Sequence, residues 1–389
     1  MAFKFPKKGF VFYPVATGDS TTIVVDDSAV VVQIDLHNCG EEADDPKPFP
    51  IVDELVRLLP KKNNKPFLSV FALTHPDNDH ILGFGDLLSK VTIGEIWHTP
   101  RIFREYRKDF AEDAQKFRDE AQRRRKVMID KKGEVSSGDR LRVIGHDDGI
   151  FNDPDYTDFP SKARSYPGCS IEVLDDVDYS GIFEAFVHAP FKDDSADTRN
   201  NTSLALQITL SEGTHSGKVL LFGDREYPTI KQIFDKTKEK QRKQYLEWNA
   251  HLAAHHCSKK VMFWKDDEAS AETYRSEIMK NLEEAALSDA YIVASCRSDF
   301  TDEKGDNPPH GKARIKYEGI VDAGHFLCTH EYPNKTKPQP IVFTIGADGF
   351  GFGDERAKGE GPAALAAAVT AGRGATKPPG TQVGFGAVK

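Results

Sequence analysis

The 389-residue chain has no disulfide framework to build on: its five cysteines (Cys39, Cys169, Cys257, Cys296 and Cys328) are odd in number and far apart. Small secreted folds use paired, closely spaced cysteines, so this usage fits a reducing compartment, and a cytoplasmic location is expected. Long apolar runs are missing too. No stretch approaches the roughly 18 apolar residues of a membrane span, and the opening MAFKFPKKGFVFYPV lacks the apolar core of a leader, so no membrane role is expected. There is no excess of positive charge: 52 basic residues against 61 acidic give a net charge of −9. That balance supplies no chain-wide attraction to nucleic acid and leaves only local basic faces for such a role.

Enough apolar material is present for a core, with 39% hydrophobic residues and 10% aromatics. The first stretches, GFVFYPV, TTIVVDD and AVVVQIDL, alternate as strands and are separated by turn residues, which predicts a meander. PIVDELVRLLP has helical apolar spacing, FLSVFALT reads as a buried strand, ILGFGDLLSK as a short helix and IGEIWHTP as a strand. Residues 101–132 are long, charged and helical in character, with twelve Lys/Arg against seven Asp/Glu. SGDRLRVIG, CSIEVL and FEAFVHAP are strand-like, and NNTSLALQITL and KVLLFGD form a strand pair. EYPTIKQIFDKTKEKQRKQYLEW reads mostly as helix, a further helix falls near 270–286, AYIVASC is a strand, and PIVFTIG is the last strand expected. Residues 1–353 are expected to form one domain. Residues 354–389, rich in Gly, Ala, Thr and Pro, read as a disordered or weakly helical tail. Groups of short strands with helices interspersed favour an α/β sandwich of two sheets with outer helices over a doubly wound parallel sheet.

The strand FLSVFALT ends in THPDNDH, which places His75, Asp77, Asp79 and His80 within six positions. Alternate positions on an extended backbone face the same way, so His75, Asp77 and Asp79 converge, with His80 reaching a second point nearby. Imidazole suits zinc or manganese, and carboxylates add hard oxygen donors that offset the charge of a dication. A polar turn after a buried strand has no reason to crowd so many unpaired ionisable groups.

THPDNDH resembles the metallo-β-lactamase signature His-x-His-x-Asp-His, with Asp77 where the second histidine usually stands. It is most similar to the branch that includes the hydrolase domain of ComEC-type DNA-uptake proteins. The resemblance recurs in order along residues 10–345: ATGDSTTIVV and VVVQIDLHNCG with Asp35, NNTSLALQI, VLLFGD with Asp224, LAAHHCSK with His255 and His256, and NPPHG with His310. It implies a four-layer αββα sandwich with a helical basic insertion. It also implies two divalent metal ions, Zn2+ or Mn2+, about 3.5–4 Å apart and sharing an acidified water. His75 and Asp77 would hold one metal, Asp79, His80 and His256 the other, with Asp224 bridging. His255 and His310 would contact substrate, alongside Asp79 as a residue of the catalytic set. The family's separate mid-chain histidine ligand is not matched. Asn200 or Asn201 would line the site there, or His188 would replace the ligand.

The same branch implies phosphodiester cleavage, with DNA or RNA as the leading substrate. Arg123, Arg124 and Arg125 beside Tyr106 and Phe117 offer a phosphate-tracking face in the 101–132 segment. A small ester, lactone or thioester remains a second substrate class. A third possibility is a metal-binding subunit of a multi-protein system, with partner proteins of the same operon.

Overall fold

A computed structural model describes residues 3–40, 48–100, 103, 110–145, 151, 154–192, 194, 200–267, 269–303 and 307–353. The tail at 354–389, Tyr106 and most of 101–109 lie outside the described residues. In the first half of the chain the strands are β1 (Gly9–Phe12), β2 (Thr21–Asp26), β3 (Val30–Ile34), β4 (Lys65–Ala72), β5 (Thr92–His98), β6 (Arg140–Ile144) and β7 (Arg164–Ser165). The second half adds β8 (Ser170–Ile171), β9 (Phe183–Ala189), β10 (Ala205–Glu212), β11 (His215–Leu221), β12 (Trp248–Leu252), β13 (Ala286–Ala294), β14 (Phe326–Cys328), β15 (Ile341–Gly346) and β16 (Gly349–Phe352).

These strands form two large sheets. One runs β16-β15-β1-β2-β3-β4-β5-β6-β7 and the other β14-β13-β12-β11-β10-β9-β8. Each sheet joins an antiparallel meander to a parallel run, β3 to β7 in the first and β11 to β14 in the second. The chain therefore returns from the second sheet to the first through β15, which pairs with β1 over Phe10↔Phe343.

Side-chain alternation builds the layers. In β3, Val30, Val32 and Ile34 join the cluster that also takes Leu206, Ile208 and Leu210 of β10, which places this core between the sheets, while Val31 turns to the opposite face. That opposite face is covered by α1 (Ile51–Leu58), α2 (Asn78–Ile81), α3 (Phe84–Lys90) and α4 (Glu112–Asp130), whose Ile51, Leu55, Leu87 and Phe117 share one cluster with Val31 and Phe71. The second sheet is backed by α5 (Tyr227–Glu239), α6 (Ser276–Ala285) and α7 (Gly311–Glu318) through Ile230, Phe234, Leu282 and Tyr317. The result is a four-layer αββα sandwich, as expected.

Two elements differ from the sequence expectation. Trp248–Leu252 is a central strand rather than the end of a helix, because Ala250 and Leu252 face the inter-sheet core while Trp248 is buried on the helix side. β16 follows the strand expected to be last, and pairs Phe350 and Phe352 against Ile345 and Phe343. The helix expected within 101–132 appears as α4, but it is built into the outer layer. It buries Ala114, Phe117, Ala121 and Met128, and its own charges nearly balance, six basic against five acidic.

The arginine run of α4 is tied into this layer. Arg124 is 1% exposed, pairs with Glu120 at 2.7 Å and donates to the carbonyls of Ile93, Gly94 and Arg140 at 2.9–3.2 Å. It thereby satisfies strand carbonyls that a helix cannot reach. Arg125 pairs with Asp155 at 2.7 Å across the face of Tyr156, and Arg123 pairs with Glu120 and Asp139. No described helix is long and apolar enough to cross a membrane.

Candidate metal centre

The carboxyl ends of parallel strands from both sheets meet at one rim, the position where such sheets present loop side chains. β4 delivers Thr74 and His75 just past Ala72, and the short α2 lifts Asp79 and His80 from an extended Asp77. β11 ends three residues before Asp224, and β12 ends three before His255. Asp35, one residue past β3, holds the first loop. Its carboxylate accepts from the Thr74 backbone N–H at 2.7 Å, the Thr74 hydroxyl at 2.6 Å and His80 Nδ1 at 2.7 Å.

Asp224 sits in the middle, and its two oxygens face different neighbours. Around Oδ1 lie His80 Nε2 at 3.1 Å and His256 Nε2 at 3.4 Å, with the two nitrogens 3.2 Å apart and Asp79 Oδ2 3.1 Å from His256 Nε2. Around Oδ2 lie His75 Nε2 at 3.6 Å and His255 Nε2 at 3.8 Å, with Asp77 Oδ2 3.8 Å from His75 Nε2. The floor is sealed, since His75 and His80 are 0% exposed, His256 1% and Asp224 4%. The rim opens at Asp79, 34% exposed, and Asp77, 21%.

His255, His256 and Cys257 all have positive φ, at 50°, 52° and 65°. A left-handed residue with a Cβ costs about 1–2 kcal/mol, so three in succession require the surroundings to hold them. The supports are visible. The His255 N–H donates to Gly223 O at 3.1 Å, the His310 N–H to Cys257 O at 3.2 Å, and the Lys259 N–H to His310 Nδ1 at 3.2 Å. The turn brings two sequential imidazoles to one carboxylate, whereas an extended strand would send them to opposite faces.

The electrostatics follow from burying this many ionisable groups together. Burial pushes His75 well below the ordinary imidazole value, and the neighbouring His80 adds to the effect. Burial also works against a charged His80 and a charged His256. Asp224 overcomes it in both cases, helped by Asp35 at His80 and by Asp19 at His256, and both are held well above the ordinary value. Burial alone would raise Asp224, but His256, His80 and His255 hold it well below the usual carboxylate range. Asp79 follows the same pattern, with burial opposed by His80 and His256 and a net lowering.

Of the residues expected from sequence, His75, Asp77, Asp79, His80, Asp224, His255 and His256 come together here. The structure does not bring His188 to them. It lies on the helix side of β9, with Nε2 on Tyr245 O at 2.8 Å and Nδ1 by the Thr237 hydroxyl at 3.4 Å, and burial pushes it down to about 4. Asn201 is half-buried in the 3-10 turn before β10, and Ser203 beyond it packs against Gly223. His310 is buried behind the left-handed turn, which it braces.

Asp19, His37 and Glu226 were not singled out from sequence. Asp19 Oδ1 lies 3.3 Å from His256 Nδ1, and Asp19, His80, Asp224 and His256 each place a donor atom within 4.8 Å of the others. His37 packs on Gly18, where an added Cβ would collide with its ring and with Asp79 O, and burial pushes it down to about 4. Glu226 Oε1 lies 3.6 Å from His255 Nδ1 and 3.7 Å from Lys260 Nζ. The one local signal was Asp19 within Gly18-Asp19-Ser20, since its distance from His256 in the chain hides the pairing.

The donors fit a divalent metal. His75 Nε2 is buried, faces oxygens of Asp224 and Asp77 at 3.6 and 3.8 Å and has no hydrogen-bond partner, a state that is costly unless a cation fills the gap. Separations of 3.1–3.8 Å bracket the edge of a coordination tetrahedron, about 3.3–3.4 Å for bonds of about 2.0–2.1 Å.

Layers and donors together define a class: an αββα sandwich with a candidate metal centre at its strand ends. No family model and no curated protein matches the chain. Solved structures of similar fold include a B3 metallo-β-lactamase with an active-site glutamic acid (14% identity, 72% of this chain and 86% of that one, TM-score 0.32). Others are the metallo-β-lactamase GOB-18 from Elizabethkingia meningoseptica (14%, 73% and 90%, 0.29) and a diphosphatase of the PhnP family (9%, 86% and 97%, 0.31). At TM-scores near 0.3 these likenesses assign nothing to the site, which rests on the geometry above.

Proposed function

We propose that this protein is a metal-dependent hydrolase of phosphodiester bonds, with DNA or RNA as the leading substrate. The observation that carries the reading is Asp224, a single buried carboxylate whose two oxygens face two separate imidazole and carboxylate sets. That is the placement of a bridging ligand between two cations. When bound, divalent metals in such a site acidify water and polarise a phosphoryl oxygen, so no serine or cysteine nucleophile is required.

The chain's own residues supply the rest. Asp35 and Asp19 hold the Nδ1 sides of His80 and His256, leaving both Nε2 atoms for the centre. Asp77, Asp79 and Asp224 add hard oxygen donors, which suit Zn2+ or Mn2+ and offset their charge. The exposed edges of Asp77 and Asp79 set the direction of substrate approach, and Lys260 stands behind Glu226 on the same rim as a cation for a phosphate oxygen.

The test compares wild type with an Asp79→Ala/His80→Ala double variant, each loaded with Zn2+ or Mn2+. Substrates are single-stranded DNA, RNA, a generic phosphodiester and a generic carboxylic ester. Turnover of a phosphodiester by wild type and its loss in the variant is the expected result. Turnover that survives in the variant, or turnover of the carboxylic ester alone, overturns the reading.

A further inference from the structure

Four imidazoles surround Asp224, and all four are oriented alike. Each aims Nε2 at the Asp224 carboxylate, and each has an oxygen partner on its Nδ1 side, within hydrogen-bond reach at His75 and His80 and at ion-pair distance at His256 and His255. For His75 that partner is the Thr74 hydroxyl at 3.1 Å, which already donates to Asp35 and so accepts from His75. For His80 it is Asp35 at 2.7 Å, for His256 Asp19 at 3.3 Å, and for His255 Glu226 at 3.6 Å. An oxygen beside Nδ1 that leaves Nε2 free is the arrangement that fixes a histidine as a metal ligand. A histidine serving only to contact substrate has no need of it.

The two oxygens of Asp224 also divide these rings evenly. Oδ1 faces His80 and His256, and Asp79 completes that side. Oδ2 faces His75 and His255, and Asp77 stands against His75. With His188 turned to the helix layer, the Oδ2 side would otherwise hold a single imidazole.

We propose that His255 is a metal ligand: with His75, Asp77 and Asp224 Oδ2 it forms one complete donor set, while its neighbour His256 belongs to the other set. The left-handed turn at 255–257 is the device that divides two sequential histidines between two cations. Glu226 is the positioning residue for His255, acting as a charge at ion-pair distance rather than through a hydrogen bond such as Asp35 makes to His80 at 2.7 Å. This rests on reading the cluster as a metal centre, and it replaces the substrate-contacting role expected for His255 from sequence.

The experiment measures metal binding without turnover. Wild type, His255→Gln, His256→Gln and Glu226→Gln proteins are dialysed against Co2+ at graded concentrations, and stoichiometry and visible absorption are recorded. Wild type is expected to take two equivalents. His255→Gln should keep one equivalent and bind the second more than about 100-fold more weakly, beyond the range for loss of an outer partner. Its spectrum should differ from that of His256→Gln, since different sets are damaged. Glu226→Gln leaves every proposed ligand in place and covers the case of a His255→Gln protein that does not fold. It should weaken one equivalent about 10-fold and leave the other unchanged. Two equivalents of unchanged affinity in His255→Gln, or unchanged binding in Glu226→Gln, overturns the assignment while the metal-centre reading stands. Absence of Co2+ binding by wild type overturns both.

Discussion

Residues 74–80 hold four ionisable side chains in seven positions, and residues 122–126 hold four in five. In the first, buried donors face one another across gaps of 3.1–3.8 Å, with His75 Nε2 lacking a hydrogen-bond partner. In the second, Arg124 has Glu120 and three backbone carbonyls, and Arg123 has Glu120 and Asp139. One cluster turns four imidazoles and three carboxylates towards a common point, whereas the guanidiniums of the other are paired with acidic side chains and, at Arg124, strand carbonyls. Charge density in a sequence therefore says little about function until the pairing is known. Converging donors at strand ends mark a candidate site, and guanidiniums paired with carboxylates and carbonyls mark a structural cross-link.

The sharpest way to break this contrast is Asp224→Asn. It removes the carboxylate shared by both donor sets, so Zn2+ affinity should fall more than about 100-fold for each equivalent, beyond what loss of an outer partner costs. Equilibrium dialysis checks this, and two tightly held equivalents would place Asp224 outside the centre. Arg124→Ala tests the other cluster. It leaves three strand carbonyls without their buried donor while Glu120 keeps Arg123, and a buried acceptor left unsatisfied costs about 1–3 kcal/mol. Urea unfolding should show that loss while metal stoichiometry stays at the wild-type value.

Asp35→Asn acts on orientation rather than ligation. Metal affinity should drop about 10–100-fold with ligand count unchanged, because the His80 ring loses the carboxylate on its Nδ1 side. A variant that binds as tightly as wild type would show that Asp35 serves folding only.

The pH dependence has a definite sign. In the metal-free protein His80 and His256 are raised above the ordinary imidazole value, about 6.5. Their contribution to stability is present in full below that value and is lost as pH rises through the folded-state values. A metal must displace those protons, so its affinity should increase with pH, with up to about two protons released on binding. Calorimetry in buffers of differing ionisation enthalpy counts them, and binding with no proton release would contradict the assignment. The smallest effect belongs to Arg123→Gln, an exposed pair whose loss should cost about 0.5 kcal/mol or less. A thermal shift much beyond a degree or two would show that the pair matters more than its exposure allows.

Much of the fold is legible along the chain where burial has a period. Phe10 and Phe12 alternate with Val11, and Ile51, Val52 and Leu55 share one helical face, so strand and helix could be told apart. Trp248–Leu252 was not legible as a strand, because its five residues follow a charged helix and one 3-10 turn without a breaker. Its neighbours β11 and β13 decide its conformation through parallel ladders. At the site, the dense motif THPDNDH announced its donors, since donors one to five residues apart need only a local turn. Asp19 and Glu226 could not be read this way, as their meaning lies in contacts with His256 and His255 that the chain reaches only after folding.

What the sequence determined by itself is the inventory: the alternation that makes two-faced strands, and the histidines and aspartates placed just beyond strand ends. Only the tertiary structure decided which of them are partnered. Hydrogen bonding and coordination act over about 2–4 Å, a scale at which positions in the chain carry no information about one another. The packing of the two sheets brought Asp224 between THPDNDH and the left-handed turn, and the outer helix layer took up His188.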